Sequence, residues 1–219
     1  MNIRKNGVIQ APTFYENSSG STYTVVGSLT NDNGVLSGFS ASNYIILPNP
    51  PTPVTSYEIC MKFYMVNFND GRVLGNSTHN VHTPQLEAPN GSETKMWFGH
   101  PSGSYGWQGI NPNFVVTQDT WYWFKAIWDG TKVITSMSTD GYSYSNTGSI
   151  DTTTCGWNEG LELGYDSDTG AFTGGKIDFK ESYIKINGNI TFSGLDAYLQ
   201  NDRAKIGKNF ITSSTFYEV

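Results

Sequence analysis

Tyr57-Glu58-Ile59-Cys60-Met61-Lys62-Phe63-Tyr64-Met65-Val66 places Tyr57, Ile59, Met61, Phe63 and Met65 on one face, and Glu58, Cys60, Lys62 and Tyr64 on the other. A period of two is the mark of a β-strand, because successive Cβ atoms leave a sheet on opposite sides; a helix would scatter these residues round its axis. Trp121 to Asp129 repeats the pattern, with Tyr122, Phe124, Ala126 and Trp128 alternating against Trp123, Lys125 and Ile127. Asp129-Gly130 then predicts a hairpin turn, with Val133 to Met137 returning from it. Asp140-Gly141 predicts a second turn, into Tyr142-Ser143-Tyr144.

Working outward, Tyr44-Ile45-Ile46-Leu47 reads as a short strand stopped by Pro48, Pro50, Pro51 and Pro53, since proline cannot donate to a ladder. Leu161 to Tyr165, Gly175 to Phe179, Tyr183 to Gly188 and Asn189 to Phe192 read as further strands. Residues 75 to 113 form the least regular stretch, rich in Gly and Pro around a short Met96-Trp97-Phe98 strand. Loops of this kind tend to carry function when a rigid scaffold holds them. Residues 1–30, rich in Ser, Thr, Asn and Gly, read as an N-terminal arm or edge segment with one or two short strands. Residues 31–194 read as the sandwich, and 195–219 as a tail in which Leu195 to Gln200 suggests a short helix. No repeat of the kind that builds solenoids or propellers emerges. The fold class is therefore all-β: a two-sheet antiparallel jelly-roll sandwich with irregular N- and C-terminal arms.

Composition agrees. The chain has 219 residues, 14% of them aromatic and only 15% charged, with 24 glycines, as short strands joined by tight turns require. Thirteen basic against 19 acidic residues give a net charge of −6, and no run of Lys or Arg offers a phosphate backbone its counterions; nucleic acid is not an expected partner. No stretch reads as a membrane span, and the polar start Met1 to Gly7 reads as lacking a secretory signal. Cys60 and Cys155 lie far apart; one disulfide is compatible with the sequence but not implied by it.

Three strings carry a family resemblance: Ser37-Gly38-Phe39-Ser40-Ala41-Ser42-Asn43-Tyr44-Ile45-Ile46-Leu47-Pro48; Trp121 to Gly130 with Ser138-Thr139-Asp140-Gly141; and Leu163-Gly164-Tyr165 leading to Gly175 through Gly188. In this order they resemble the concanavalin A-like, laminin G-type lectin/glucanase modules of bacteriophage structural proteins, such as tail fibres, receptor binders and capsid fibres. The resemblance covers roughly residues 35 to 192. It implies a jelly roll whose loops or concave sheet face contact glycans, in some members with bound calcium. On that basis the chain is expected to be a non-catalytic virion protein that binds bacterial surface polysaccharide. It would assemble with other virion proteins in the host cytoplasm as a homo-oligomer, a trimer by analogy with fibres. A decoration protein that binds no glycan, or a polysaccharide-degrading enzyme, would be the alternatives.

Trp97, His100, Tyr105 and Trp107 are the candidate ligand-binding residues, because aromatic rings in glycine-rich loops give a sugar's apolar face a stacking platform. Trp97 and Trp107 can equally fill a core, and Trp121, Trp123, Trp128 and Trp157, in or beside strong strands, read as core or subunit packing. Calcium takes oxygen ligands, and Asp166, Asp168 and Asp70 are the candidates for it, although Asp is also an ordinary turn residue. His79 and His82 lack a third ligand for zinc. Glucanases of this architecture set paired carboxylates on one strand; no Glu-x-Asp-x-x-Glu exists here, and Glu58, Glu162, Asp178 and Glu181 read as single carboxylates among strands.

Overall fold

The computed structural model describes residues 8–10, 13–16, 22–66, 68, 71–76, 83–89, 94–102, 107–110, 113–166 and 170–194; at 8–10, 13–16, 22, 76, 107, 146 and 147 only the backbone is described. All strands among these residues fall into two antiparallel sheets. The nine-stranded sheet runs β1 (Val8–Gln10), β4 (Ser28–Asp32), β5 (Val35–Ser37), β16 (Lys176–Ile186), β7 (Tyr57–Met65), β12 (Thr120–Trp128), β13 (Lys132–Ser138), β14 (Ser145–Asp151), with β17 (Asn189–Ser193) also paired to β16. The eight-stranded sheet runs β11 (Trp107–Ile110), β10 (Trp97–Pro101), β9 (Gln85–Glu87), β8 (Arg72–Asn76), β15 (Leu161–Leu163), β6 (Tyr44–Ile46), β3 (Thr22–Val26), β2 (Thr13–Glu16). This is the jelly-roll sandwich that the alternating segments predict.

The alternation sets the packing. Tyr57, Ile59, Met61, Phe63 and Met65 of β7 and Tyr122, Phe124, Ala126 and Trp128 of β12 are all buried between the sheets. They meet Val25, Ile45, Leu74, Leu86, Phe98, Leu161 and Leu163 of the opposite sheet in one core. Ring contacts knit it: Phe98 lies 5.3 Å from Phe124, and Phe63 lies 6.3 Å from Phe172, centroid to centroid. Each such ring withdraws a large apolar area from water, worth roughly 1.5–3 kcal/mol per side chain.

Three readings of the sequence need revision. The boundary at residue 31 falls inside β4, and Tyr23, Val25 and Leu29 are core residues, so the sandwich begins well within the expected arm. Polar neighbours hid those three positions. Gly175–Phe179 and Tyr183–Gly188 are not two strands but largely one, β16, broken by a bulge: Asp178 opposes Lys62 and Tyr183 opposes Cys60. Ser182 bridges the gap, its Oγ donating to the Asp178 carbonyl at 2.7 Å and accepting from the Lys62 amide at 3.1 Å. Much of the expected loop region is also sheet, since β8 to β11 form one edge of the eight-stranded layer. Cys60 and Cys155 are both free thiols. The suggested helix at Leu195 to Gln200 lies outside the described residues.

Candidate functional site

The residues that alternate away from the core on β16, β7 and β12 form rows across the outer face of the nine-stranded sheet. Pairing places Lys185 beside Glu58 and Ile127, Tyr183 beside Cys60 and Lys125, Asp178 beside Lys62 and Trp123, and Lys176 beside Tyr64 and Trp121. The bulge in β16 lifts Glu181 out over the third row, where its side chain is half exposed. On the far side the Asp140-Gly141 turn brings Tyr144 in. Asp140 organises that turn, with Oδ1 accepting from the amides of Tyr142 and Ser143 at 2.8 Å, and these bonds hold its carboxyl at about 2. Gly141 (φ 78°) sits against the Trp123 indole, where the left-handed backbone and the close approach both call for glycine. Cys60, Trp123, Lys125, Tyr144, Glu181 and Tyr183 line the resulting cleft, of about 530 Å³.

Its electrostatics are densely paired. Lys62 Nζ donates to Asp178 Oδ2 at 3.0 Å and to Glu181 Oε1 at 2.6 Å, and stands 4.7 Å from the ring centre of Trp123. Trp123 Nε1 donates to Glu181 Oε2 at 2.9 Å. Burial pushes the Glu181 carboxyl up, but these hydrogen bonds and the Lys62 charge outweigh it, and the group stays below its ordinary range. Glu58 behaves alike: burial raises it, while Lys185 at 2.8 Å and the Tyr183 hydroxyl, both donating to it, bring it below the usual value. Lys125 differs. Its ammonium lies 4.5 Å from the ring centre of Tyr144 and has no carboxylate partner among the described residues. The site thus combines stacking rings, fixed acceptors and a lysine outside any ion pair among the described residues, within the field of Glu58, a set suited to a polar molecule with apolar faces.

The residues expected from sequence are distributed otherwise. His100, on β10, is fully buried in the core: its Nδ1 shares a hydrogen bond with the Tyr57 hydroxyl at 2.8 Å, and its Nε2 lies 2.9 Å from the Thr154 carbonyl oxygen. Its ring packs 5.3 Å from that of Trp128, and burial lowers its pKa. It has no face to offer a ligand, because a strand in the sheet edge, and not an open loop, carries it. Trp97 is half-buried on the same strand, its indole lying over Gly109 of β11, where an added Cβ would come within 2.5 Å of Nε1. The backbone of Trp107 opens β11; its side chain and Tyr105 lie outside what is described, as do Asp168 and Asp70. Asp166 is fully buried and accepts from Gln85 Nε2 at 2.9 Å, away from the cleft.

Trp121, Trp123, Trp128 and Trp157 read from the sequence as core or subunit packing. Trp128 and Trp157 are indeed core residues, but Trp121 and Trp123 are half-buried on the outer face. The signal was present in the alternation: Trp123 and Lys125 share the side of β12 that Glu58 and Lys62 occupy on β7.

No protein-family description matches the chain, and no curated protein does either. Solved structures do. The binding domain of botulinum neurotoxin DC, in complex with SialylT, superposes with a TM-score of 0.57 at 9% identity, covering 88% of this chain and 50% of that one. A structure of botulinum neurotoxin type C, whose cell entry is dependent upon interaction with two ganglioside molecules, gives 0.56 at 9% identity over 89% and 51%. Mouse laminin alpha1 chain domains LG4-5 give 0.51 at 13% identity over 73% and 44%. The fold is thus a two-sheet jelly roll shared with these laminin and toxin binding domains. This chain spans about half the length of each of these three.

Proposed function

We propose that this chain is a non-catalytic glycan-binding module and that the cleft on its nine-stranded sheet is the binding site. The observation that carries the reading is the convergence of Trp123, Tyr144 and Tyr183 around one cleft with Lys125 and Glu181. Rings supply area to the apolar face of a pyranose at little conformational cost, and the charged groups fix its hydroxyls. The fold shared with binding domains of toxins and laminin supports a binding role. Within the cleft the charges speak against catalysis. A glycosidase acid needs a carboxyl raised toward neutral pH, yet Glu181 and Glu58 are both lowered by lysine and tyrosine or tryptophan donors.

The biological setting we propose is a bacteriophage virion, in which the chain is a fibre or receptor-binding subunit, homo-oligomeric and joined to other virion proteins, that engages bacterial surface polysaccharide. The motif strings given above support this. The test is binding of labelled native protein to envelope polysaccharide from a panel of candidate hosts, alongside Trp123→Ala and the double variant Tyr105→Ala/Trp107→Ala. Saturable binding that falls roughly tenfold or more in Trp123→Ala, with an unfolding temperature changed by only a few degrees, is expected. Loss in the Tyr105/Trp107 variant alone moves the site to the sheet edge that the sequence favoured. No binding across a genuine host panel leaves a structural decoration protein as the better reading, and release of reducing ends would make it an enzyme.

A further inference from the structure

Residues 152–157 carry the chain from β14, in the nine-stranded sheet, toward β15 in the eight-stranded one, and they belong to no strand. Polar ties hold this segment down. The Thr152 carbonyl accepts from the Trp128 indole at 3.0 Å, the Thr154 hydroxyl donates to the Ser102 carbonyl at 3.0 Å, and the Gly156 amide donates to the Pro101 carbonyl at 3.0 Å. Thr152 and Trp157 are buried at its two ends, while Thr153 and Thr154 are exposed. Midway along it the Thr154 carbonyl meets Nε2 of the buried His100, 2.9 Å away.

These bonds fix the proton on His100. A carbonyl oxygen only accepts, so Nε2 carries a hydrogen; in a neutral ring Nδ1 is then the acceptor, and the Tyr57 hydroxyl donates to it at 2.8 Å. A second proton has to go on Nδ1. Tyr57 must then turn and accept, and its hydroxyl, in a residue 2% exposed, has no other hydrogen-bond partner among the described residues. The rings of Trp128 and Tyr57, 5.3 and 5.8 Å away, attract a cation, but they do not replace the water that an imidazolium gives up. Burial accordingly dominates and lowers the His100 pKa, against a smaller opposing effect of the Thr154 carbonyl. The other titratable groups of the cluster stay neutral. Burial raises Tyr57 of β7 well above its ordinary value and pushes the Cys155 thiol up to about 11; β12 contributes Trp128, and β11 sets Gln108 opposite His100. No charged group among the described residues moves the His100 pKa.

We infer that His100 is an acid-released latch: as the neutral ring it holds residues 152–157 down on β10, and as the imidazolium it lets the middle of that segment lift. The sign follows from burial. A histidine in water takes its proton near about pH 6.5, so the lifted form, with His100 hydrated, binds the proton more readily than the closed form. Closure is fully favoured above that pH and loses ground below it, by at most about tenfold per pH unit. Glu58 and Glu181, both lowered carboxyls, respond at more acid pH than the latch does. Lifting bares the Cys155 thiol and opens a way to the rings of Tyr57, Trp128 and Trp157. The latch is independent of the proposed glycan site.

Cys155 reports the lift, since both cysteines are free thiols. Native protein is treated with dipyridyl disulfide, which still reacts with thiols in mild acid, at steps from about pH 7.5 to about pH 5. Labelling at Cys155 and Cys60 is read by peptide mass and divided by the rate for free cysteine at the same pH. In wild type Cys155 should label at least about fivefold faster at the acid end, while Cys60 does not change. His100→Gln, whose amide can still donate to the Thr154 carbonyl but takes no proton, should label at one rate throughout. The His100 ring signal, assigned by its loss in that variant and followed by nuclear magnetic resonance, should titrate below the ordinary histidine value. Flat Cys155 labelling in wild type overturns the inference, as does a His100→Gln protein that opens with acid as wild type does. If His100→Gln does not fold, wild-type labelling across the pH steps decides the matter alone.

Discussion

The two outer faces of the sandwich treat their most buried glutamates differently. On the nine-stranded sheet Glu58, Asp178 and Glu181 are each met by lysine, with tyrosine or tryptophan adding a donor to the two glutamates. On the eight-stranded sheet Arg72 meets Glu87 at 3.0 Å, but Glu162 and Asp166 are buried, and one Glu162 oxygen is left without a hydrogen bond. A face that satisfies its own charges is preorganised: its side chains hold their places before a ligand arrives, and the ligand need only displace water. On the other face burial leaves one Glu162 oxygen without a hydrogen bond, and its carboxyl is pushed up to about 8. The contrast sets carboxylates held charged by lysine against a carboxyl that burial holds toward its neutral form.

The strongest way to break the first half of the comparison is to remove the lysine that completes it. Lys62→Met keeps the stem that lies along Trp121 and Trp123 but deletes the ammonium. Glu181, half exposed, can turn to water; Asp178, at 8% exposed, cannot, and is left as a buried charge without its counter-ion. The expected loss is about 2–3 kcal/mol, a fall in melting temperature of roughly 5–10 °C for a chain of this size. A melting temperature within a degree of wild type would show that the ion-pair network adds nothing to stability.

Acid should loosen the same face without mutation. The folded-state pKa values of Glu58 and Glu181 lie below their ordinary values, so the unfolded chain takes up these protons first as pH falls. The stability they contribute is therefore fully present above the unfolded carboxylate range, near pH 4–5, and is lost as pH drops through the lower folded values. Urea unfolding across pH 3–6 reads this, and Glu58→Gln should flatten part of the slope. Both groups are partly solvated, which keeps the effect below that of Lys62→Met.

How much of this was legible in the sequence differs between the core and the site. β7 and β12 were readable because burial on one face and solvent on the other impose a strict period of two. β3 and β4 were not, since Tyr23, Val25 and Leu29 stand among Thr, Ser and Asn that mimic a loop. Nor was the continuity of β16, because a bulge depends on partner register, which no local pattern encodes. His100 and Trp123 show the same limit for function. His100 sits in glycine- and proline-rich sequence yet is buried by a strand pairing between distant segments. Trp123 sits in a hydrophobic run yet faces outward, because its neighbours Tyr122 and Phe124 take the core. Local composition misassigned both; the parity of each residue along its strand, once the strand is known, assigns them.

Lys125 offers the finest test of the cleft. Its ammonium makes no ion pair among the described residues, although its charge helps lower Glu58, so a ligand bringing a carboxylate or phosphate would give it the close pairing that Lys62 and Lys185 already have. Lys125→Gln should lower the melting temperature by no more than about 1–4 °C, since the lost contact is a partly exposed cation–π pair worth about 0.5–1 kcal/mol. Affinity for an acidic envelope polysaccharide should fall roughly three- to tenfold, and the dependence of binding on salt should weaken with it. Affinity for a neutral polysaccharide should not change. Equal losses on acidic and neutral polymers would mean that Lys125 only props the Tyr144 ring, and the ligand's charge would then be no part of what this face recognises.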